Sequence, residues 1–199
     1  MKLNALLFLV LLAFGLQAQD GYKVGDEAAD FKLKNVDGEM VSLSDYEDAK
    51  GYVVIFTCNH CPYAIAYEDR IIELDKKYKK LGYPVIAINP NDETIVPGDS
   101  YEGMVKRAEE KSFTFPYLRD KTQEVANTYG AQRTPHVYVL NKEDGNLMVR
   151  YIGTIDDNYK DASAVTKTYL ADAIDALADG GNPNPEFTKA IGCSVKRKK

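Results

Sequence analysis

Residues 52–62 read YVVIFTCNHCP, and this stretch decides the fold class of the chain. Its first six residues are apolar, aromatic or β-branched without alternation, which is typical of a central strand that is buried on both faces. Cys58 and Cys61 follow this strand directly. Pro62 suits the first turn of a helix, because its missing N–H has no helical partner there. The stretch therefore predicts a buried strand, a cysteine-bearing turn and a helix.

The segments on either side extend this unit into a complete domain. A helix at 62–81 and a second buried strand at 84–89 make a right-handed βαβ unit with the first strand. The other predicted elements are a hairpin at 31–43, helices at 101–111 and 122–129, strands at 136–140 and 147–152, and a helix at 161–178. The last two strands are joined by a tight turn and must be antiparallel. The order predicts an α/β thioredoxin-like fold, in which a central mixed sheet is flanked by helices, with an added N-terminal β-hairpin and an insert at about 90–120.

The two ends of the chain are predicted to lie outside this domain. Lys2, an apolar run at 5–16 and Ala18 have the layout of a secretory signal peptide over residues 1–18. The run is shorter than the ~20 residues that span a bilayer, so an uncleaved membrane anchor is the lesser alternative. The thioredoxin-like domain is predicted at 19–180, and a C-terminal extension with Cys193 and a solvated basic end at 181–199. We expect a periplasmic or secreted protein that is soluble after cleavage.

Composition narrows the possible partners. The hydrophobic fraction of 45% supplies enough apolar material for a core without disulfide staples. The net charge of −5 argues against a nucleic-acid partner. A membrane contact is expected only through the signal segment, if that segment is uncleaved.

The close cysteine pair predicts redox chemistry. Disulfides persist outside the cytoplasm, and the three cysteines that remain after cleavage make a poor structural framework. A thiol at a helix N-terminus is expected to have a lowered pKa. We therefore expect Cys58 to be the exposed nucleophile and Cys61 the more buried resolving thiol. No cofactor is expected besides the redox-active disulfide Cys58–Cys61, and a four-ligand zinc site would need both histidines of the chain.

Two further segments are predicted to adjust this pair. His60 lies between the cysteines, where a partial positive charge would favour the Cys58 thiolate and tune its pKa. Thr134 and Pro135 precede a predicted strand that faces the pair. A cis peptide bond there would shape a substrate groove, and the backbone of Thr134 would be free to pair with an extended substrate.

Several motifs together resemble a known family. They are FTCNHCP at 56–62, GAQRTPH at 130–136, YIG at 151–153, ADF at 29–31, SLSDY at 42–46 and FPYLRD at 115–120. Over about residues 22–178 the chain resembles the redoxin branch of the thioredoxin superfamily, which holds peroxiredoxin-like (AhpC/TSA-type) and TlpA-like exported thiol–disulfide proteins. The resemblance implies that Cys58 and Cys61 are the active-site cysteines and that Pro135 is cis.

The departures from the peroxiredoxin pattern favour disulfide exchange over peroxide reduction. With Cys61 at the peroxidatic position, Cys58 stands where that pattern has Thr and Val54 where it has Pro. Arg133 would match a family arginine. We expect protein thiols or disulfides as substrates, and a reductant or oxidant partner that the sequence does not identify.

Three alternatives stay open beside a thiol–disulfide oxidoreductase. They are a peroxiredoxin-like thiol peroxidase, a copper-binding protein that uses Cys58, Cys61 and a histidine, and a catalytically silent binding module. Two thiolates and an imidazole suit copper, and His136 lies in the second motif segment. Arg133, His136 and Cys193 are possible auxiliary residues.

Overall fold

The structure, a computed structural model, describes residues 21–198. Its strands are β1 (Lys32–Asn35), β2 (Met40–Ser42), β3 (Gly51–Phe56), β4 (Val85–Asn89), β5 (Tyr117–Arg119), β6 (Arg133–Thr134), β7 (His136–Glu143), β8 (Asn146–Gly153) and β9 (Cys193–Ser194). Its helices are α1 (Pro62–Tyr78), α2 (Tyr101–Lys111), α3 (Glu124–Tyr129) and α4 (Tyr169–Ala178). The signal peptide predicted at 1–18 lies outside the described residues. Within them, no helix is both long and apolar enough to cross a membrane.

Seven strands form one mixed sheet in the order β2-β1-β5-β4-β3-β7-β8. Strand β3 runs parallel to β4 and antiparallel to β7, and β7 pairs antiparallel with β8. The β3-α1-β4 unit therefore lies beside the β7-β8 hairpin, as the predicted thioredoxin-like fold requires. The hairpin β1-β2 joins the sheet through β5, which confirms the added N-terminal hairpin.

Strand β3 supplies side chains to hydrophobic clusters on both faces of the sheet. Val53 and Ile55 belong to the cluster that contains residues of α1 and α4. Val54 and Phe56 belong to the cluster that contains Ala126 and its neighbours on α3. Burial of each such side chain contributes about 1.5–3 kcal/mol. Because both faces of β3 are covered, the strand needs a continuous apolar run. The cysteines follow its C-terminal end and are therefore held at a rigid position.

One predicted helix starts at a different residue in the structure, and one observed strand was not predicted. The last helix begins at Tyr169 and not at 161, because side chains in the preceding segment bind nearby backbone instead. Asp161 accepts the N–H of Ser163 at 2.8 Å, and Asp157 accepts the N–H of Thr166 at 2.9 Å. Strand β5, inside the predicted insert, has only three residues and no alternation from which to predict it.

The basic C-terminal end, predicted to be solvated, packs against the domain. Val195 is buried, and its N–H donates to the carbonyl of Gln132 at 3.0 Å. The guanidinium of Arg197 donates to the carbonyl of Ala131 at 2.5 Å. The expectation of a solvated end is wrong because backbone and charged groups of this segment have partners in the domain.

Candidate active site

Both cysteines of the pair lie inside the protein, at the junction of β3 and α1. Cys61 is the N-cap residue of α1, and Pro62 occupies the first turn, as predicted. The exposed fraction is 2% for Cys58 and 0% for Cys61. The prediction of an exposed Cys58 is therefore wrong, because Thr134 and the C-terminal segment pack over the pair.

The contacts around Cys61 favour a thiolate on that sulfur. Its pKa is lowered by a hydrogen bond from the Cys58 thiol, by a side-chain hydrogen bond with Cys193, and by the backbone N–H groups of Ala64 and Cys193. The Cys193 nitrogen lies 3.4 Å from the sulfur. Ala64 is in the first turn of α1, where free N–H groups carry partial positive charge. The helix start therefore acts on Cys61.

The surroundings of Cys58 favour its protonated thiol. The hydrogen bond to Cys61, burial, and the negative charge of Asp99 all raise the pKa of Cys58. This corrects the expectation that the helix start lowers the pKa of Cys58. The two thiols form a coupled pair, in which the first proton leaves readily and the second is retained.

Thr134 contacts both sulfurs of the pair. Its hydroxyl oxygen lies 3.2 Å from the Cys58 sulfur, and its carbonyl accepts the Cys61 thiol at 3.1 Å when that thiol is protonated. The Thr134–Pro135 peptide bond is cis, as predicted. The backbone of Thr134 is not free, however, because it pairs with Cys193 in the short antiparallel β6-β9 ladder.

A buried carboxylate organises the two residues between the cysteines. Asp99 is 0% exposed. It accepts the backbone N–H of Asn59 at 2.7 Å, the Nδ1 of His60 lies 2.6 Å from its Oδ2, and Asn91 donates to it at 2.8 Å. The positive charge expected at His60 is thus paired with Asp99, whose own charge opposes a thiolate on Cys58. A pKa-tuning role for His60 stays a prediction.

The possible metal ligands differ from the set predicted for copper. In the described part of the chain, one cluster has metal-ligating atoms that lie within 4.8 Å of one another, and it consists of Cys58, His60 and Asp99. Neither Cys61 nor His136 belongs to it. Both oxygens of Asp99 already accept the hydrogen bonds from the 59–60 turn and Asn91.

Arg133 and His136, predicted as possible auxiliary residues, contact groups other than the sulfurs. Arg133 is exposed, and its guanidinium lies 3.4 Å from the carbonyl of Gly192. The ring of His136 packs against Tyr138 with centroids 4.8 Å apart. Burial lowers the pKa of His136 to about 4. It is therefore neutral near pH 7.

The insert makes several contacts near the site that sequence reasoning missed. The hydroxyl of Tyr117 donates to the Asn59 side chain at 2.8 Å. Glu68 is buried and bonds bidentately to Arg107 at 2.7 and 2.6 Å. Tyr117, Glu68 and Cys58 line one small cavity. No local signal marks these residues, because their contacts join segments about 40 or more positions apart.

Comparison with known proteins gives three main findings. The AhpC/TSA family matches residues 24–152. A protein named thiol-disulfide oxidoreductase ResA from Bacillus cereus is 30% identical over 164 residues, which are 74% of this chain and 88% of that protein. A solved structure of an uncharacterized conserved protein from Geobacillus kaustophilus is 40% identical with a TM-score of 0.80, and it covers 88% of this chain and 93% of its own.

These findings confirm the family and the oxidoreductase class that the sequence predicts. The family match covers β1 to Ile152, in β8, and therefore includes the cysteine pair and the cis-proline. The segment with Cys193 lies beyond it. The chain belongs to the AhpC/TSA family, in the redoxin branch of the thioredoxin superfamily.

Proposed function

We propose that the protein is an extracytoplasmic thiol–disulfide oxidoreductase that exchanges disulfides with protein thiols through Cys58 and Cys61. The observation that carries the proposal is the coupled pair itself. The backbone N–H of Cys193 lies 3.4 Å from the Cys61 sulfur, and the pKa of Cys61 is lowered while that of the adjacent Cys58 is raised. Such a pair has the nucleophile and the resolving thiol that disulfide exchange needs.

In the reductive direction, the Cys61 thiolate attacks a substrate disulfide and forms a mixed disulfide, releasing one substrate thiolate. Cys58 then loses its proton and attacks the Cys61 sulfur. The second substrate thiolate leaves, and the Cys58–Cys61 disulfide forms. The substrate gains two electrons and the protein loses two. The oxidative direction is the reverse of these steps.

The sequence favours Cys58 as the attacking sulfur, whereas the contacts around Cys61 support Cys61 in that role. Trapping with insulin, a protein disulfide, separates the two in a Cys193→Ser background. We expect Cys58→Ser to accumulate a mixed disulfide on Cys61, and Cys61→Ser to accumulate little. Accumulation only in Cys61→Ser would return the role to Cys58. Full insulin turnover in both variants, with native circular dichroism, would refute the proposal.

A thiol peroxidase is the second candidate, because a thiolate on Cys61 occupies the peroxidatic position of the resemblance. Against it, Cys58 and Val54 replace the Thr and Pro of that pattern, and Arg133 contacts Gly192. A peroxidase predicts fast peroxide consumption, coupled to a thiol reductant, that Cys61→Ser abolishes. We expect consumption close to that of free thiols. Rapid consumption by the wild-type protein would favour the alternative.

The extracytoplasmic location rests on the leader-like residues 1–18. Expression of the full chain in a Gram-negative host tests it through fractionation and intact mass. We expect the protein in the periplasmic fraction, with the intact mass of residues 19–199. Uncleaved protein in the cytoplasm would contradict this location.

A further inference from the structure

The C-terminal segment fills the groove that was expected to receive an extended substrate. Cys193 pairs with Thr134 and Ser194 pairs with Arg133 in antiparallel register. This is the backbone geometry in which a peptide is added as a strand to an exposed edge. Here the added strand, β9, belongs to the chain itself.

Gly192 shows how closely this segment approaches the cis-proline turn. A Cβ built on Gly192 would lie 2.2 Å from the carbonyl oxygen of Thr134 and 3.0 Å from the nitrogen of Pro135. Real side chains do not reach such distances, so any larger residue would push the two backbones apart. Glycine is the residue that permits this approach.

Buried polar side chains of the domain hold the segment beyond β9. Asn91 is 0% exposed and accepts the N–H of Lys196 at 2.8 Å. Gln123, 5% exposed, donates to the Lys196 carbonyl at 2.8 Å and accepts the Lys198 N–H at 2.9 Å. These two side chains make hydrogen bonds to backbone groups of the C-terminal segment, so the domain contains a binding site for that segment.

This docking puts a third thiol beside the pair. Cys193 packs against the cluster of Cys58, Cys61 and Ala64, and its backbone N–H lies 3.4 Å from the Cys61 sulfur. Cys61 is therefore the member of the pair that β9 approaches.

We propose that Cys193 is a third redox-active thiol, which resolves a mixed disulfide held by Cys61 and forms a Cys61–Cys193 disulfide. This inference rests on the proposed function. In the step, the Cys193 sulfur bonds to the Cys61 sulfur, the bond between Cys61 and the substrate sulfur breaks, and the substrate leaves as a thiolate that takes up the Cys193 proton. The substrate disulfide gains two electrons in total, and Cys61 and Cys193 lose two.

The electrostatics make this attack conditional on the state of Cys61. Burial, together with the hydrogen bond and charge of Cys61, raises the pKa of Cys193 to about 11. When Cys61 is in a disulfide, that charge is absent, whereas the positive charges of Lys196 and Arg133 still favour a thiolate. The charge of a reduced Cys61 thus opposes a thiolate on Cys193, and oxidation of Cys61 removes that opposition while burial remains.

Substrate and β9 compete for the same backbone at Thr134. An extended substrate that pairs there displaces β9, and the return of β9 brings Cys193 back to Cys61 as the substrate leaves. The strand therefore couples product release to resolution.

The test removes the usual resolving thiol and asks whether Cys193 replaces it. Reduced Cys58→Ser protein is mixed with oxidised glutathione, quenched with an alkylating reagent and mapped by mass spectrometry. We expect a Cys61–Cys193 disulfide in most molecules, and a stable glutathione adduct on Cys61 in Cys58→Ser/Cys193→Ser. A persistent adduct on Cys61, with Cys193 alkylated in the single variant, would overturn the proposal.

A pair of glycine variants tests whether β9 delivers the thiol. Gly192→Ala, in the Cys58→Ser background, keeps Cys61 and Cys193 but opposes docking, and we expect at least a tenfold slower formation of their disulfide. Gly181→Ala is the matched control, because its Cβ meets nothing closer than 3.4 Å. Equal rates in the two variants would refute delivery by β9.

The wild-type protein separates this inference from the proposed function. A Cys58–Cys61 disulfide formed in the same glutathione assay supports the proposed function, whichever result the Cys193 variants give. If wild-type protein forms no such disulfide, the proposed function fails. If it does and Cys193 stays a free thiol in Cys58→Ser, the inference alone fails.

Discussion

The thiol of Cys58 is expected to hold the Cys61 thiolate through a hydrogen bond, and a pair of variants measures that bond. In a Cys193→Ser background, Cys58→Ala removes the donor, whereas Cys58→Ser keeps one in the serine hydroxyl. Both double variants retain Cys61 as the one thiol of the chain, since the sequence has three cysteines. The titration of Cys61 can therefore be read without a second thiolate.

The expected change in the pKa of Cys61 follows from the strength of the lost hydrogen bond. A hydrogen bond to a charged group contributes about 1.5–3 kcal/mol, and one pKa unit corresponds to about 1.4 kcal/mol. Cys58→Ala should thus raise the pKa of Cys61 by about one to two units relative to Cys58→Ser. The Cys58→Ser value should stay below the ordinary 9.0, because the serine hydroxyl still donates and the N–H groups of Ala64 and residue 193 remain.

Thiolate absorbance in the ultraviolet, followed against pH, measures the pKa without any need for reagent access to the buried sulfur. Unfolding of each variant at the extremes of pH is monitored by circular dichroism, so that only the native range is fitted. Equal midpoints for the two variants, or a midpoint at or above 9.0 in Cys58→Ser, would refute the assignment of the thiolate to Cys61.

Two further predictions concern groups around the pair. Asp99→Asn should cost about 1–3 kcal/mol of unfolding free energy, since an amide cannot accept all the bonds of the carboxylate. It should also lower the pKa of Cys58 by removing a negative charge. Denaturant titration measures the unfolding free energy, and thiol titration measures the pKa of Cys58. If neither the denaturation midpoint nor this pKa changes, Asp99 does not have the role assigned to it. Burial lowers the folded pKa of His136 from 6.5 to about 4, so the unfolded chain binds the proton more tightly. Stability should therefore be complete above pH 6.5 and fall by about 3 kcal/mol as the pH drops to 4. His136→Gln should flatten this part of the stability curve, and an equal slope in both proteins would contradict the account of His136.

The parts of the fold that follow local rules could be predicted from the sequence. Local patterns of a few residues predicted three features of the fold. They are the buried strand β3 from its continuous apolar run, the start of α1 from its proline, and the β7-β8 turn from Asp144-Gly145. The cysteine spacing and the Thr134–Pro135 dipeptide likewise predicted the two segments that meet at the candidate site. These features need no knowledge of distant contacts.

The parts that were missed depend on contacts between distant segments. Asp99 meets His60 across 39 positions, and the nitrogen of Cys193 meets the Cys61 sulfur across 132. No period or motif encodes such pairs. The burial of Cys58 and the occupied backbone of Thr134 both follow from the docked tail. The prediction of an exposed nucleophile beside an open groove therefore failed at this one contact.

Redox titration of residues 19–199 tests most directly whether Cys58 and Cys61 are a working dithiol. The protein is equilibrated in thiol–disulfide buffers over a range of potentials, alkylated, and mapped by mass spectrometry. We predict one two-electron transition that joins Cys58 to Cys61, with a midpoint at about −270 mV for a reductase or about −120 mV for an oxidase. If both cysteines stay alkylatable at every potential while the fold is native, the central claim is wrong.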